Sequence, residues 1–327
     1  MPSPIEAIRE RARSRRRRIL LPEGEDARIR EGAAAAARDG LAEVVVLSGE
    51  PIEEVETIDP AALDLAPYAA TYHELRRHRG VTPEQAREAV RQPLVLAALM
   101  VRMGEVDGTL AGATHTTADT VRAAIQVIGP APAPQGEAAL VSSFFLMLLD
   151  RPHHRALADG REAVVFADCG LVVAPSEKEL AGIAVASAAS FRQLTGADPK
   201  VAMLSFSTMG SALHPRVDHV RTALKEARRM RPDLPISGEM QFDAAFLPAV
   251  ARAKAPGEAV EGDANVFVFP DLEAGNIGYK IAERIGGAGA LGPILQGLAK
   301  PANDLSRGCS AADVADMIAV TAVQAGD

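Results

Sequence analysis

Short runs rich in Val, Ile and Leu alternate with longer helical patterns along almost all of the 327 residues, and no other feature limits the fold as much. The runs predict strands over residues 18–21, 43–47, 108–111, 140–145, 163–167, 201–205 and 266–269. Helical periodicity predicts helices over 27–39, 83–103, 117–127, 177–194, 217–230, 242–252 and 277–285. Start signals agree: Thr82-Pro83-Glu84-Gln85 and Ser176-Glu177-Lys178-Glu179 both read as capping boxes. Strands that alternate with helices imply an α/β fold, with mainly parallel sheets covered on both faces. A chain this long exceeds one ordinary core, so two such three-layer domains are expected. The proline run Pro130-Ala131-Pro132-Ala133-Pro134 denies backbone donors and reads as a linker.

Aromatic residues make up only 4% and there is no Trp, so alanine and branched aliphatics must fill the core. A net charge of −8 disfavours nucleic acid, which calls for a dominant cationic face. The exception is the start, where Arg9, Arg11, Arg13 and Arg15 to Arg18 crowd together. A nucleic-acid or membrane arm is the lesser reading there; interleaved Glu6 and Glu10 with Ile5 and Ile8 favour the solvated face of a first helix. No apolar run reaches the ~18 residues of a membrane span, and the longest, 138–149, reads as a buried strand. The two cysteines, Cys169 and Cys309, form no secreted-type framework and read as small buried hydrophobes, which places the chain in the cytoplasm. His153-His154 lacks metal-ligand company and falls in a polar stretch read as a surface loop, so no metal site is expected. Neither a dinucleotide fingerprint nor a P-loop is present.

Four polar segments are not explained by helix or strand. Gly112-Ala113-Thr114-His115-Thr116-Thr117 follows a strand and opens a helix, an arrangement that offers free N–H groups to an anion, with Arg122 further in. Read alone it is equally an ordinary threonine cap. Ser205-Phe206-Ser207-Thr208-Met209-Gly210 and Asp271-Leu272-Glu273-Ala274-Gly275-Asn276 also follow strands, where open parallel sheets place ligands. The fourth, residues 297–313, gathers Lys300, Asn303, Asp304, Ser306, Arg307 and Asp313 before the last helix. Arg307 offers a planar fork suited to phosphate. Ser310-Ala311-Ala312-Asp313 is itself a capping-box pattern, so Asp313 read alone is more simply a cap.

Together with Leu21-Pro22-Glu23-Gly24-Glu25-Asp26-Ala27-Arg28, these segments resemble the phosphate acetyltransferase (phosphotransacetylase) family, close relatives of the phosphate butyryltransferases. The resemblance covers essentially the whole chain, and Met203–Thr208, Asn265–Asp271 and 297–310 are its most specific parts. Met209 and Glu273 depart from the commoner Lys and Asn. The resemblance implies two α/β domains with an interdomain active-site cleft, in a homodimer: residues 1–134 with 296–327, and residues 135–295. It implies reversible transfer of acetyl between coenzyme A and inorganic phosphate, with coenzyme A as co-substrate and no tightly bound cofactor. By the same resemblance Asp313 is the base for the thiol, Ser306 donates to the oxyanion and Arg307 holds the phosphoryl group. Arg76 and Arg122 match coenzyme A-binding arginines, with Arg28 and Arg284 as weaker matches, and Thr117, Ser207 and Thr208 join the binding set. An ordinary aspartate at ~3.9 is mismatched with a thiol at ~8.5 by roughly 6 kcal/mol. The base is therefore expected to be desolvated, or its proton transfer concerted with attack. Transfer of a longer acyl group is the nearest alternative, and a non-catalytic sensor of coenzyme A or acyl phosphate is the alternative of another class.

Overall fold

A computed structural model describes residues 3–48, 50–132, 139–149 and 163–326. The chain divides into two compact units, one of Ile5–Pro132 with Leu298–Asp327, the other of Ala133–Gly297 with Met1–Pro4. The His153-His154 loop and the end of the proline run lie outside the described residues.

The first unit runs α1 (Pro4–Arg13), β1 (Arg18–Leu21), α2 (Ala27–Arg38), β2 (Glu43–Leu47), β3 (Glu56–Ile58), α3 (Ala66–Arg76), α4 (Pro83–Ala89), α5 (Pro93–Met103), β4 (Gly108–Ala111) and α6 (Thr117–Val127). The other unit supplies β5 (Ser142–Leu148), β6 (Ala163–Ala167), α7 (Glu177–Thr195), β7 (Val201–Leu204), α8 (Pro215–Met230), β8 (Ile236–Met240), α9 (Phe242–Phe246), α10 (Pro248–Lys254), β9 (Val266–Val268), α11 (Leu272–Arg284) and β10 (Gly289–Gln296). The chain then returns to the first unit with β11 (Ala302–Asp304) and α12 (Ala311–Gln324).

In the first unit the five-stranded sheet has the order β11-β4-β1-β2-β3 and every pairing is parallel. Alternate residues such as Leu20, Val45 and Leu47 meet the apolar faces of α3 to α6. Elsewhere in this unit the alanine-rich α2 packs on α12, close enough that a Cβ on Gly32 would stand 2.6 Å from Val314 Cβ. The basic start is wired into this unit: Arg13 donates to Asp39 O, Arg15 to Val323 O and Arg18 to Glu105 O, each at or beside a helix C-terminus. Arg9 pairs with Asp316. Those arginines tie the basic start to the body of this unit.

The other sheet, β10-β5-β6-β9-β7-β8, is mixed: β5 runs antiparallel to both β10 and β6, and the rest is parallel. The scarce aromatics collect here, with Phe166, Phe242, Phe246, Phe267 and Phe269 in mutual contact. Helix α11 approaches so closely that a Cβ on Gly275 would lie 2.3 Å from Asp168 O.

Two predicted helices are each broken in two. Pro93 and Pro248 open new helices because neither has an N–H to continue the preceding one. Strands β3, β8, β10 and β11 were not predicted: two are three residues long, β8 carries Gly238 and Glu239, and β10 carries Gly292-Pro293 at its register shift. Among the described residues no helix is long and apolar enough to cross a membrane.

Candidate active site

Because β11, β4 and β1 are parallel neighbours, the loops that follow them leave the same sheet edge. Residues 305–310, 112–116 and 22–26 thereby converge, and each leads into a helix. This is the edge at which open parallel sheets place ligands.

A buried glutamate organises this edge. The Glu23 carboxylate accepts from the backbone N–H of Gly112 (2.9 Å), Ala113 (2.8 Å), Thr114 (2.9 Å) and His115 (3.0 Å). Thr114 Oγ1 adds a bond of 2.8 Å and His115 Nδ1 one of 2.6 Å. Burial alone would push the Glu23 carboxyl up, but the bonds from His115, Thr114 and Ala113 outweigh it and hold it below the ordinary glutamate value. The reading of this loop as free donors for an external anion is therefore corrected: its N–H groups already hold an anion, supplied by the chain about ninety residues earlier.

Arg28 joins the three loops. Its guanidinium pairs with Asp26 and donates to Arg307 O (2.7 Å), Cys309 O (3.2 Å) and Ala113 O (2.9 Å). Those bonds make it a positioning group rather than a free cation. Lysine cannot reproduce the planar fork. Arg28→Lys is expected to speed hydrogen exchange at Gly308 and Cys309 by about tenfold, the equivalent of ~1.4 kcal/mol of lost loop stability. Unchanged exchange at both amides would remove the stapling role.

The segment so held carries Ser306 and Arg307, both exposed. Ser306 Oγ accepts from Gly308 N (3.2 Å), which leaves its proton for another acceptor. Among the described residues the Arg307 guanidinium makes no hydrogen bond or ion pair. Asp313 stands in the first turn of α12 inside a capping box, where Ser310 N and Ser310 Oγ both donate to its Oδ2 at 2.8 Å. Its Oδ1 has no hydrogen bond among the described residues. Asp313 is exposed, so the expectation of a desolvated base is not met here.

Arg122 is exposed and bonded to Asp119 at 2.6 Å. Thr117 Oγ1 donates to Asp304 Oδ2 at 2.6 Å. Arg76 ends α3 half-buried, and its Nε has no hydrogen-bond partner. The remaining candidates belong to the other unit. Ser207 is buried and donates to Glu239 Oε1 (2.8 Å), while Thr208 accepts from Gln241 N (3.0 Å). Arg284 is exposed beside Glu283.

Sequence reasoning missed the internal anions. Besides Glu23, buried Asp168 gathers the N–H groups of Ser143, Gly170, Leu171 and Val172, and buried Glu239 holds Ser207, Gly210 N and Arg221. For Glu23 and Asp168, an acidic residue just after an apolar strand run and close before a glycine was the available signal.

A model of the phosphate acetyl/butaryl transferase family matches residues 3–322. The chain is 51% identical to the phosphate acetyltransferase of Paracoccus denitrificans, over 98% of this chain and 99% of that protein. It is 45% identical to the phosphate acetyltransferase of Thermoanaerobacterium thermosaccharolyticum, over 99% of both. A phosphotransacetylase from Streptococcus pyogenes, known from its crystal structure, matches with a TM-score of 0.89 at 42% identity and 98% coverage of both chains.

Proposed function

The chain belongs to the phosphate acetyl/butaryl transferase family, and from that premise we propose that it transfers acetyl reversibly between coenzyme A and inorganic phosphate through Asp313, Ser306 and Arg307. One observation carries the assignment of roles. The Ser306–Arg307 loop is pinned through its carbonyls by the Arg28 guanidinium, while among the described residues the Ser306 hydroxyl proton and the whole Arg307 guanidinium remain uncommitted.

In the direction of acetyl-CoA formation, Asp313 Oδ1 takes the proton of the coenzyme A thiol as sulfur attacks the carbonyl of acetyl phosphate. Ser306 Oγ donates to the oxygen on which charge builds, and Arg307 holds the phosphoryl group as it departs with the bonding pair. Since Asp313 is exposed, proton removal is read as concerted with attack, which avoids a free thiolate. Arg76 and Arg122 are read as cations for the coenzyme A phosphates, with Thr117 as a further contact. Two buried thiols outside any disulfide are in keeping with a cytoplasmic enzyme.

The direct test follows thioester absorbance with acetyl, propionyl and butyryl phosphates and coenzyme A. Acetyl phosphate is expected to give the highest kcat/KM. Absence of transfer from all three would leave only a binding role, and preference for butyryl would move the chain to the longer-acyl branch.

A further inference from the structure

We propose that Asp304 is a positioning residue for this reaction: its buried carboxyl group couples the Ser306–Arg307 loop to the first turn of α6. The proposal rests on the roles given above to Ser306 and Arg307.

Asp304 is the last residue of β11, fully buried, two positions ahead of Ser306. Oδ2 accepts from Thr117 Oγ1 at 2.6 Å, whereas Oδ1 has no hydrogen-bond partner among the described residues. The next residue is tied to the neighbouring strand by Leu305 N to Ala111 O at 2.6 Å. The loop after that strand leaves room for the carboxyl only because residue 112 is glycine: its φ is +111°, and a Cβ there would meet Oδ1 at 2.2 Å. A half-satisfied buried carboxyl is a poor device for stability, because an unpaired buried oxygen destabilises the fold. Buried ionisable groups that weaken a fold are more often kept where they act.

The charges around it are few. Glu23 faces it after β1, already saturated and joined by His115. Arg307 follows it and Arg28 bonds to the same loop. On α6 Asp119 and Arg122 pair with each other; on α12 Asp313 is held by Ser310 and Asp316 by Arg9. Burial pushes the Asp304 carboxyl up to about 6, helped by the Glu23 charge, against the pull of Thr117, Thr120 and Arg307. Below that pH it is neutral. Above it, it carries a charge that draws the uncommitted Arg307 towards the end of β11 and fixes the loop for a phosphoryl group.

Its folded-state value lies above the ordinary aspartate value, so the folded chain keeps a proton that the unfolded chain has released. Stability from this group is therefore lost as pH rises through that window. Asp304→Asn should accordingly unfold a few degrees higher than the parent at pH 7.5. At the same pH its kcat should fall about tenfold, with KM for coenzyme A within about twofold. The parent kcat profile between pH 5 and 8 should show an acid limb near 6, and the variant should lack it. Thr117→Val removes the 2.6 Å bond to the carboxyl and should move that limb to higher pH. A less stable Asp304→Asn, an unchanged profile in that variant, or an unmoved limb in Thr117→Val each overturns the proposal. An inactive parent chain would instead bring down the acyl-transfer reading itself.

Discussion

Asp313→Asn should lower kcat for acetyl transfer by at least about 100-fold, with coenzyme A affinity little changed. Asparagine keeps an oxygen that can accept from Ser310 N and Ser310 Oγ, so the capping box survives. What is lost is the basic oxygen. A thiol is a much weaker acid than a carboxylic acid, so a proton transfer that ran to completion before attack would be uphill. Coupling it to carbon–sulfur bond formation removes that uphill step, and a neutral amide cannot take part. Stopped-flow turnover with equilibrium coenzyme A binding on the same preparation separates the two roles. A variant of near-parental kcat and lower melting temperature would leave Asp313 as a helix cap only.

Glu23→Ala should produce the largest loss of stability of any single change at this edge, at least about 3 kcal/mol. Four backbone N–H groups, one hydroxyl and one imidazole nitrogen point at one carboxylate, and each buried donor left unpaired costs ~1–3 kcal/mol. Water admitted by the shorter side chain recovers part of this, which is why the sum is not the prediction. In a unit of this size the fall in melting temperature should approach ~10 °C. The pH dependence has a definite sign. Binding to the loop holds the folded-state value of Glu23 below its unfolded value, so its stabilisation is present above the ordinary glutamate range and fades in acid. The gap between parent and Glu23→Gln should therefore narrow as pH falls below that range. Thermal unfolding from about pH 2 to 8 measures both effects, and a Glu23→Ala protein that melts with the parent would show that the loop holds itself.

The loop held by Glu23 also marks how far the sequence could be read. Residues 112–117 were readable either as an anion-binding turn or as a plain threonine cap, because glycine, threonine and a strand-to-helix transition are local signals, and Thr116 does cap α6. Which anion occupies it was not visible: Glu23 follows another strand, and only the β1–β4 pairing brings it to the loop. Asp304 is a parallel case. Its place beside Ser306 was plain, but its burial against Thr117 and Gly112 exists only once β11 has paired with β4. Arg28 was read as a weak ligand-binding candidate. The structure surrounds it with three carbonyls from segments up to 281 residues away, a separation no local pattern encodes.

What the sequence determined by itself is the part governed by neighbours within one helical turn. The capping boxes at Thr82, Ser176 and Ser310 are all present, strands such as Arg18–Leu21 and Glu43–Leu47 fall where the apolar runs lie, and both cysteines are buried. Misread elements had local causes as well, since Pro93 and Pro248 restart helices that periodicity alone ran together. The tertiary structure decided the strand order, the return of β11 to pair with β4 in the first sheet and the antiparallel setting of β5. Through these it decided which buried carboxylate holds which loop. The physical reason is range. Caps and periodicity act through a few adjacent bonds, whereas a carboxylate buried beneath a loop is stable only when donors from distant segments arrive together.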